Sequence, residues 1–217
     1  MEPTRPQPGS PGEHRLQEEF GTRQRARAFY ETQLLDHLND AMRRFIAEQE
    51  MVFVSTADAD GQCDCTFRAG LKGFVHILND RTITYPEYRG NGVMASLGNL
   101  RGNPHIGMLF VDFFRDAIGL HVNGRAQILE NKQMLDRANL SPEIRRDLAV
   151  VGGRRPERWV LVDVDEAYIH CSKHIPLLTR RDKTIDWGTD DACKKRGDYF
   201  QSRKRGTSGA SQSAAGD

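Results

Sequence analysis

Two basic side chains in the first half of the chain have a spacing suited to binding an anion. Arg68 and Lys72 stand four residues apart in a segment that we predict to be a β-strand. Because side chains of a strand alternate between its two faces, residues four apart share a face, where both cations could approach one phosphate. The alternative interpretation is a solvated pair on an exposed strand face.

The loop at residues 86–92 is a second candidate for binding an anion. It reads Pro-Glu-Tyr-Arg-Gly-Asn-Gly and precedes a predicted helix. The first turn of a helix presents backbone amides without intrahelical partners, and these amides favour a bound anion. The alternative is an ordinary glycine turn before a helix, since Gly-Asn pairs are common in loops.

Hydrophobic periodicity predicts the elements that position these groups. Apolar residues recur at helical spacing over residues 16–48, which predicts one long helix or two broken ones. The Asp-Gly turn within residues 58–61 predicts an antiparallel hairpin. Strand-like runs lie at residues 51–56, 81–85, 105–113, 117–129 and 158–170. Short helices are predicted at residues 93–101, 131–139 and 142–150.

This order of elements favours a mainly β fold with flanking helices. Strands joined by short turns, with only occasional helices, are typical of an antiparallel barrel rather than a doubly wound parallel sheet. The 217 residues suffice for one sizeable core, and both ends lack apolar residues to bury. We predict a disordered tail over 1–12, N-terminal helices over 13–50, the barrel over 51–175, a C-terminal extension over 176–205 and a disordered tail over 206–217.

Composition excludes several classes of partner. The net charge is +1, which provides no global field for nucleic acid or an anionic membrane. The longest apolar runs are strand-sized, far short of the roughly 20 residues of a membrane helix. Four cysteines without a signal-peptide pattern predict a reduced, cytoplasmic protein. Cys63 and Cys65 lack the Cys-x-x-Cys spacing of a zinc knuckle, so no metal site is predicted.

Several short motifs follow one another between residues 65 and 126. They are Cys-Thr-Phe-Arg at 65–68, Thr-Ile-Thr-Tyr-Pro at 82–86, Gly-Asn at 90–91, Ser-Leu-Gly-Asn-Leu at 96–100, Asn-Pro at 103–104 and Val-Asn-Gly-Arg-Ala at 122–126. In their order and spacing, the chain resembles the pyridoxamine 5'-phosphate oxidase superfamily, and in particular its poorly characterised FMN-dependent branch. The resemblance covers roughly residues 40–175 and implies an antiparallel split β-barrel of the FMN-binding type.

The resemblance also implies a cofactor and a partner. It implies that FMN lies in a cleft lined by both subunits of a homodimer, with its phosphate and ribityl chain at the loop of residues 86–92. Some relatives of the same fold bind a deazaflavin coenzyme or haem instead, so these two cofactors are the alternatives to FMN. The candidate cofactor-binding residues are Arg68, Lys72, Tyr85, Arg89, Asn91, Ser96, Asn99 and Lys173.

The chain departs from the family pattern in two places. Gly92 and Val93 stand where related members usually place a basic residue, and Arg89 is the candidate replacement. The C-terminal segment with which the authentic oxidase contacts its vitamin substrate has no match near Trp187. Oxidation of pyridoxamine 5'-phosphate itself is therefore not expected.

We therefore predict an FMN-dependent oxidoreductase that acts on a small organic substrate and receives electrons from a separate donor. In such enzymes the cofactor carries the chemistry, so the sequence assigns no catalytic acid or base. The alternative is a non-catalytic protein of the same fold that binds or stores flavin, deazaflavin or haem.

Overall fold

A computed structural model describes residues 7–137, 140–186, 188–189, 191–194, 197 and 199–202. The elements in chain order are α1 (Pro11–Glu19), α2 (Arg23–Gln33), β1 (Leu34–Leu35), α3 (Asp40–Ala47), β2 (Met51–Ala57), β3 (Cys63–Ala69), β4 (His76–Ile77), β5 (Thr82–Glu87), α4 (Ala95–Gly102), β6 (His105–Asp112), β7 (Ile118–Leu129), α5 (Asn131–Leu135), α6 (Pro142–Ala149) and β8 (Arg158–His170). Two 3-10 turns, Ser172–His174 and Ala192–Lys194, follow β8 within the described residues.

The N-terminal segment is helical from Pro11 onward. The Ser10 side chain accepts a hydrogen bond from the backbone N–H of Glu13, and the Glu13 carboxylate accepts one from the Ser10 N–H. This capping box starts α1 with a proline in its first turn, so residues 11 and 12 of the predicted tail belong to this helix. Residues 1–6 and the predicted tail over 206–217 lie outside the described residues.

The strands form one antiparallel sheet. Within the described residues, its order is β3-β2-β6-β7-β8-β5-β4, and β1 pairs with the distal part of β8. The β2–β3 hairpin and the five predicted strand runs are confirmed, with ends that shift by one to two residues. The two-residue strands β1 and β4 were not predicted, because two residues are too few to show an alternation.

The sheet curls around a single apolar interior. Strands β2, β5, β6 and β8 all contribute fully buried side chains to it, among them Val52, Val54, Ile83, Phe110 and Val162. The flanking helices are short, and the architecture is the mainly β split barrel that the sequence predicts. Among the described helices, none has the length and hydropathy needed to cross a membrane.

A smaller core fixes the helices between β7 and β8. Trp159 at the start of β8 is fully buried there with Met134 of α5 and Ile144 of α6. Its indole Nε1–H donates a hydrogen bond of 3.0 Å to Oδ1 of Asn131. Burial of an aromatic ring with its polar atom satisfied is a strong anchor for a helical segment on a barrel wall.

A β-bulge between β7 and β8 requires glycine at position 124. The register shifts between Asn123 and Gly124, and a Cβ on Gly124 would overlap the backbone oxygen of Asp163. We expect Gly124→Ala to lower the free energy of unfolding by about 1–3 kcal/mol, because two paired strands must separate to relieve the overlap. This loss of stability is measured by urea denaturation, monitored by circular dichroism.

Gly98 in α4 provides the matched control for Gly124. A Cβ there has open space around it within the described structure. We expect Gly98→Ala to leave stability unchanged or to raise it by up to about 1 kcal/mol, as alanine favours helices. Equal effects of the two substitutions would contradict the assignment of the close approach at the bulge.

The barrel is open along one seam. Strand β3 pairs with β2 alone among the described strands, so no backbone ladder joins it to β5. Side chains bridge this seam instead, through an ion pair between Arg68 of β3 and Glu87 of β5. A cleft lies at this seam, and both Arg68 and Glu87 line it.

Candidate functional site

A cleft of about 710 Å³ lies where β3, the end of β5, the start of α4 and the start of β8 meet. Its size is within the range of small-molecule and cofactor sites. Its lining is unusually rich in charged side chains. The lining residues are Asp64, Thr66, Arg68, Glu87, Tyr88, Arg89, Gly90, Asn91, Gly92, Val93, Met94, Ala95, Ser96, Leu97, Glu157 and Arg158.

Alternation along β3 supplies one wall of the cleft. Asp64, Thr66 and Arg68 are partly buried and line it, whereas Cys65 and Phe67 between them are exposed. Period-two alternation therefore places one polar set of β3 side chains in the cleft and the other set on the outside of the sheet. The prediction that Arg68 faces a site on this strand agrees with this placement.

The Arg68 guanidinium is held on several sides. Its Nε donates to Oε1 of Glu87 at 2.8 Å, and its Nη1 donates to Oγ1 of Thr66 at 2.8 Å. Its Nη2 lies 3.5 Å from Oγ of Ser96, which in turn donates to Oδ2 of Asp64 at 3.3 Å. Charge-assisted hydrogen bonds of this kind fix both the position and the orientation of the planar guanidinium.

Glu87 is the most buried charged group of the cleft. Only 8% of the residue is exposed. Burial raises the pKa of its carboxyl above the ordinary value, and the positive charge of Arg68 opposes that rise. No sequence pattern indicates this role, because Glu87 stands 19 residues from Arg68 and only the curvature of the barrel brings them together.

The loop before α4 forms one side of the cleft. The Asn91 side chain accepts a hydrogen bond of 3.0 Å from the Val93 N–H, and Gly92 has a positive φ of 82°. Met94 at the helix N-cap is also left-handed and makes no side-chain cap hydrogen bond. The start of α4 at Ala95 thus borders the cleft without a side-chain cap, as the loop sequence predicts for an anion site.

Three guanidinium groups and three carboxylates line the cleft in the described structure. The guanidinium groups are those of Arg68, of Arg89 in the loop and of Arg158 in β8. The Nε of Arg158 pairs with the Glu130 carboxylate at 3.0 Å. The carboxylates are Asp64, Glu87 and Glu157. Sequence reasoning missed Arg158 and all three carboxylates, because they lie on separate elements with no motif linking them.

Lys72 does not belong to this site. Strand β3 ends at Ala69, so the alternation that would place Lys72 beside Arg68 stops three residues before it. Its Nζ pairs instead with the Glu48 carboxylate at 2.5 Å, away from the cleft. The predicted convergence of Arg68 and Lys72 on one ligand is therefore wrong.

Three further predicted residues lie outside the cleft lining. Tyr85 is fully buried in the barrel core, where burial raises the pKa of its phenol. Asn99 lies on α4 and donates a 3.1 Å hydrogen bond to Oγ1 of Thr56. Lys173 is exposed in the 3-10 turn after β8. The structure thus brings together Arg68, Arg89, Asn91 and Ser96 of the eight predicted residues.

The cysteines of the described residues form no disulfide with one another. Cys63, Cys65, Cys171 and Cys193 are free and exposed. Over the part of the chain that the structure describes, no group of three or more His, Cys, Asp or Glu side chains could hold a metal ion. Trp187, where the sequence was compared with the authentic oxidase, lies outside the described residues.

The barrel and its cleft define a class of protein. The chain is a split β-barrel with a cleft at the seam of the barrel that is lined by charged side chains of both signs and bordered by the start of α4. The sequence pattern of the family described as pyridoxamine 5'-phosphate oxidase matches residues 38–171, more than half of the chain. The chain belongs to the pyridoxamine 5'-phosphate oxidase family.

Several solved structures are similar to this chain. HupZ of group A Streptococcus is 22% identical with a TM-score of 0.45, over 61% of this chain and 93% of HupZ. HutZ, the heme storage protein of Vibrio cholerae, is 15% identical with a TM-score of 0.39, over 61% of this chain and 94% of HutZ. An F420 reductase is 11% identical with a TM-score of 0.40, over 60% and 98% of the two chains. No curated protein matches the sequence.

Proposed function

We propose that this protein is an FMN-dependent oxidoreductase that binds the flavin phosphate in the cleft at the barrel seam. The observation that carries the proposal is the combination of a cleft of about 710 Å³, three lining guanidinium groups and the uncapped start of α4. Guanidinium groups and helix N-termini are the donors that proteins use for phosphate.

The lining residues fit a phosphate-bearing flavin. Arg68, Arg89 and Arg158 supply cationic donors, and Asn91 and Ser96 supply polar side chains at the start of α4. Among the described lining residues there is no histidine or cysteine, the commonest protein ligands of haem iron. This lining favours a flavin over a haem held by either of those residues.

The cleft residues act by binding and orienting the cofactor. When bound, FMN supplies hydride or electron transfer, and the protein determines its position and excludes competing reactions. Arg68 is oriented before any ligand binds, because Glu87 and Thr66 already hold it. A fixed donor loses little conformational freedom on binding, which favours affinity.

We also propose that the chain forms a homodimer through the outer face of the sheet. Register places Phe67, Phe53, Leu109, His121 and Tyr168 side by side across five strands of that face. Phe67 is 51% exposed and packs edge-to-face on Phe53, with ring centroids 5.6 Å apart. Phe29 of α2 packs on Tyr168 at one end of this row, with ring centroids 5.9 Å apart. The rest of the row, on the outer face of the sheet, is suited to an isologous interface.

Light scattering tests the homodimer directly. We expect a mass of twice the 24.6 kDa of one chain at micromolar concentration. Phe67→Glu should shift the mass toward that of a single chain, because a buried charge without a partner opposes association. A single-chain mass for the unsubstituted protein would contradict the proposed dimer.

Identification of the cofactor tests the proposed function. We expect mass spectrometry of the small molecule released from the purified protein to show FMN. A nicotinamide coenzyme should then reduce the bound flavin, and a second substrate or oxygen should reoxidise it. Recovery of a deazaflavin or haem would contradict the choice of cofactor. Bound FMN that no donor reduces would support the storage protein instead of the enzyme.

A further inference from the structure

Glu87 occupies an unusual position for a carboxylate in a cleft proposed to bind a phosphate. It lines the same cleft as the start of α4, yet only 10% of its side chain is exposed. Its Oε1 accepts the hydrogen bond of 2.8 Å from Arg68, one of the three guanidinium groups that line the cleft. The carboxylate and any anionic ligand would therefore compete for the positive charge of the same guanidinium, that of Arg68.

The other charged groups around Glu87 do not remove this competition between its carboxylate and an anionic ligand for Arg68. Arg68 and Asp64 face the cleft from β3, and Arg158 lies opposite Glu87 in the β5–β8 register. Arg158 is itself paired with Glu130 at 3.0 Å. On the same strand, Tyr85 is buried, and the negative charge of Glu87 contributes to the raised pKa of its phenol. Arg68 is thus the cation that neutralises Glu87 directly.

We propose that Glu87 is a specificity-determining residue whose ionised carboxylate lowers the affinity of the cleft for anionic ligands, so that binding of a phosphate is coupled to proton uptake at Glu87. This inference rests on the proposed function, since it concerns the phosphate of the same ligand. It adds a pH-dependent control to that site and assigns it to one residue.

Distance and charge determine the size of the effect. A phosphate on another edge of the Arg68 guanidinium would lie about 6 Å from the Glu87 carboxylate, as two hydrogen-bond lengths span the group. At that distance, in the partly screened environment of an open cleft, removing one negative charge should tighten phosphate binding about three- to tenfold. Burial raises the pKa of the Glu87 carboxyl. When a phosphate binds nearby, proton uptake by this carboxyl is therefore favoured over keeping two adjacent anions, the carboxylate and the phosphate.

The test uses Glu87→Gln, which keeps an oxygen acceptor for Arg68 and removes the charge. Dissociation constants of FMN, riboflavin and inorganic phosphate are measured between pH 5 and pH 8 for both proteins. The ionisation of the ligand phosphate cancels in the ratio of the two constants at each pH. For FMN and for phosphate, we expect the variant to bind three- to tenfold more tightly near pH 8 and the ratio to fall toward one as the pH is lowered. Riboflavin, which has no phosphate, should bind equally to both.

Glu157→Gln is the matched control, because Glu157 also lines the cleft but is exposed. Screening by water should make the change in phosphate affinity caused by Glu157→Gln smaller than the change caused by Glu87→Gln. Equal or weaker phosphate binding by a folded Glu87→Gln variant overturns the inference, as does a ratio independent of pH. Phosphate binding by neither protein overturns it too. If phosphate behaves as expected and FMN does not bind, the proposed function fails and the inference stands.

Discussion

Replacement of Arg68 by alanine is expected to weaken FMN binding by one to two powers of ten. The substitution removes a charge-assisted hydrogen bond from a partly buried site, which costs about 1.5–3 kcal/mol. It also leaves Glu87 without the cation that opposes the rise of its pKa, so we expect that carboxyl to take up a proton more readily. Fluorescence titration of FMN into the apo-protein measures the change in affinity.

Lys72→Ala is the control for Arg68→Ala. Both substitutions remove a cation from the same segment of chain, but Lys72 pairs with Glu48 at the surface and does not line the cleft. We expect its FMN affinity to equal that of the unsubstituted protein. Arg89→Ala tests whether the loop supplies the main charge for the phosphate instead. A folded Arg68→Ala variant with unchanged affinity would show that FMN does not contact β3.

Trp159→Ala is expected to lower the free energy of unfolding by about 3–5 kcal/mol. Trp159 is fully buried, and its removal leaves a cavity between β8 and helices α5 and α6. The substitution also leaves Oδ1 of Asn131 without its indole donor. Urea denaturation with the midpoint and slope fitted together measures the loss and shows whether the transition stays two-state.

Leu135→Ala is the control that distinguishes the loss of core packing from a change in the stability of helix α5 itself. Leu135 lies next to Met134 in α5, but 52% of it is exposed, so its truncation should cost less than about 0.5 kcal/mol. A small effect of Trp159→Ala, similar to that of Leu135→Ala, would contradict the description of α5 and α6 as fixed to the barrel by this aromatic anchor.

Local sequence signals were sufficient for most of the secondary structure. The long strands β6, β7 and β8 each carry β-branched residues over eight or more positions, and β6 and β8 add aromatic ones, so their existence could be read from composition and turn residues. The start of α1 was misplaced because its capping box was not recognised before Pro11. Motif order was sufficient for the family, and the match over residues 38–171 confirms it.

Half of the candidate residues could be found from the sequence alone. Arg68 lies on a strand, and Arg89 and Asn91 lie in a loop, whose patterns each predict anion binding, whereas Ser96 was taken from the family resemblance; all four line the cleft. Lys72 was misassigned because the residue at which a strand ends depends on its pairing, and β3 loses its partner after Ala69. Periodicity carries no information about that end point.

The sequence by itself determined the class of fold, the loop at residues 86–92 and the arginine of β3, because each depends on residues close together in the chain. The tertiary structure decided the electrostatics of the cleft. Glu87 meets Arg68 across the seam of the barrel, and Arg158 reaches the same space from the far end of the chain. Burial of Glu87 and the charge balance around it exist only once three strands have closed on one another, since desolvation and Coulomb interactions depend on spatial proximity and not on sequence spacing.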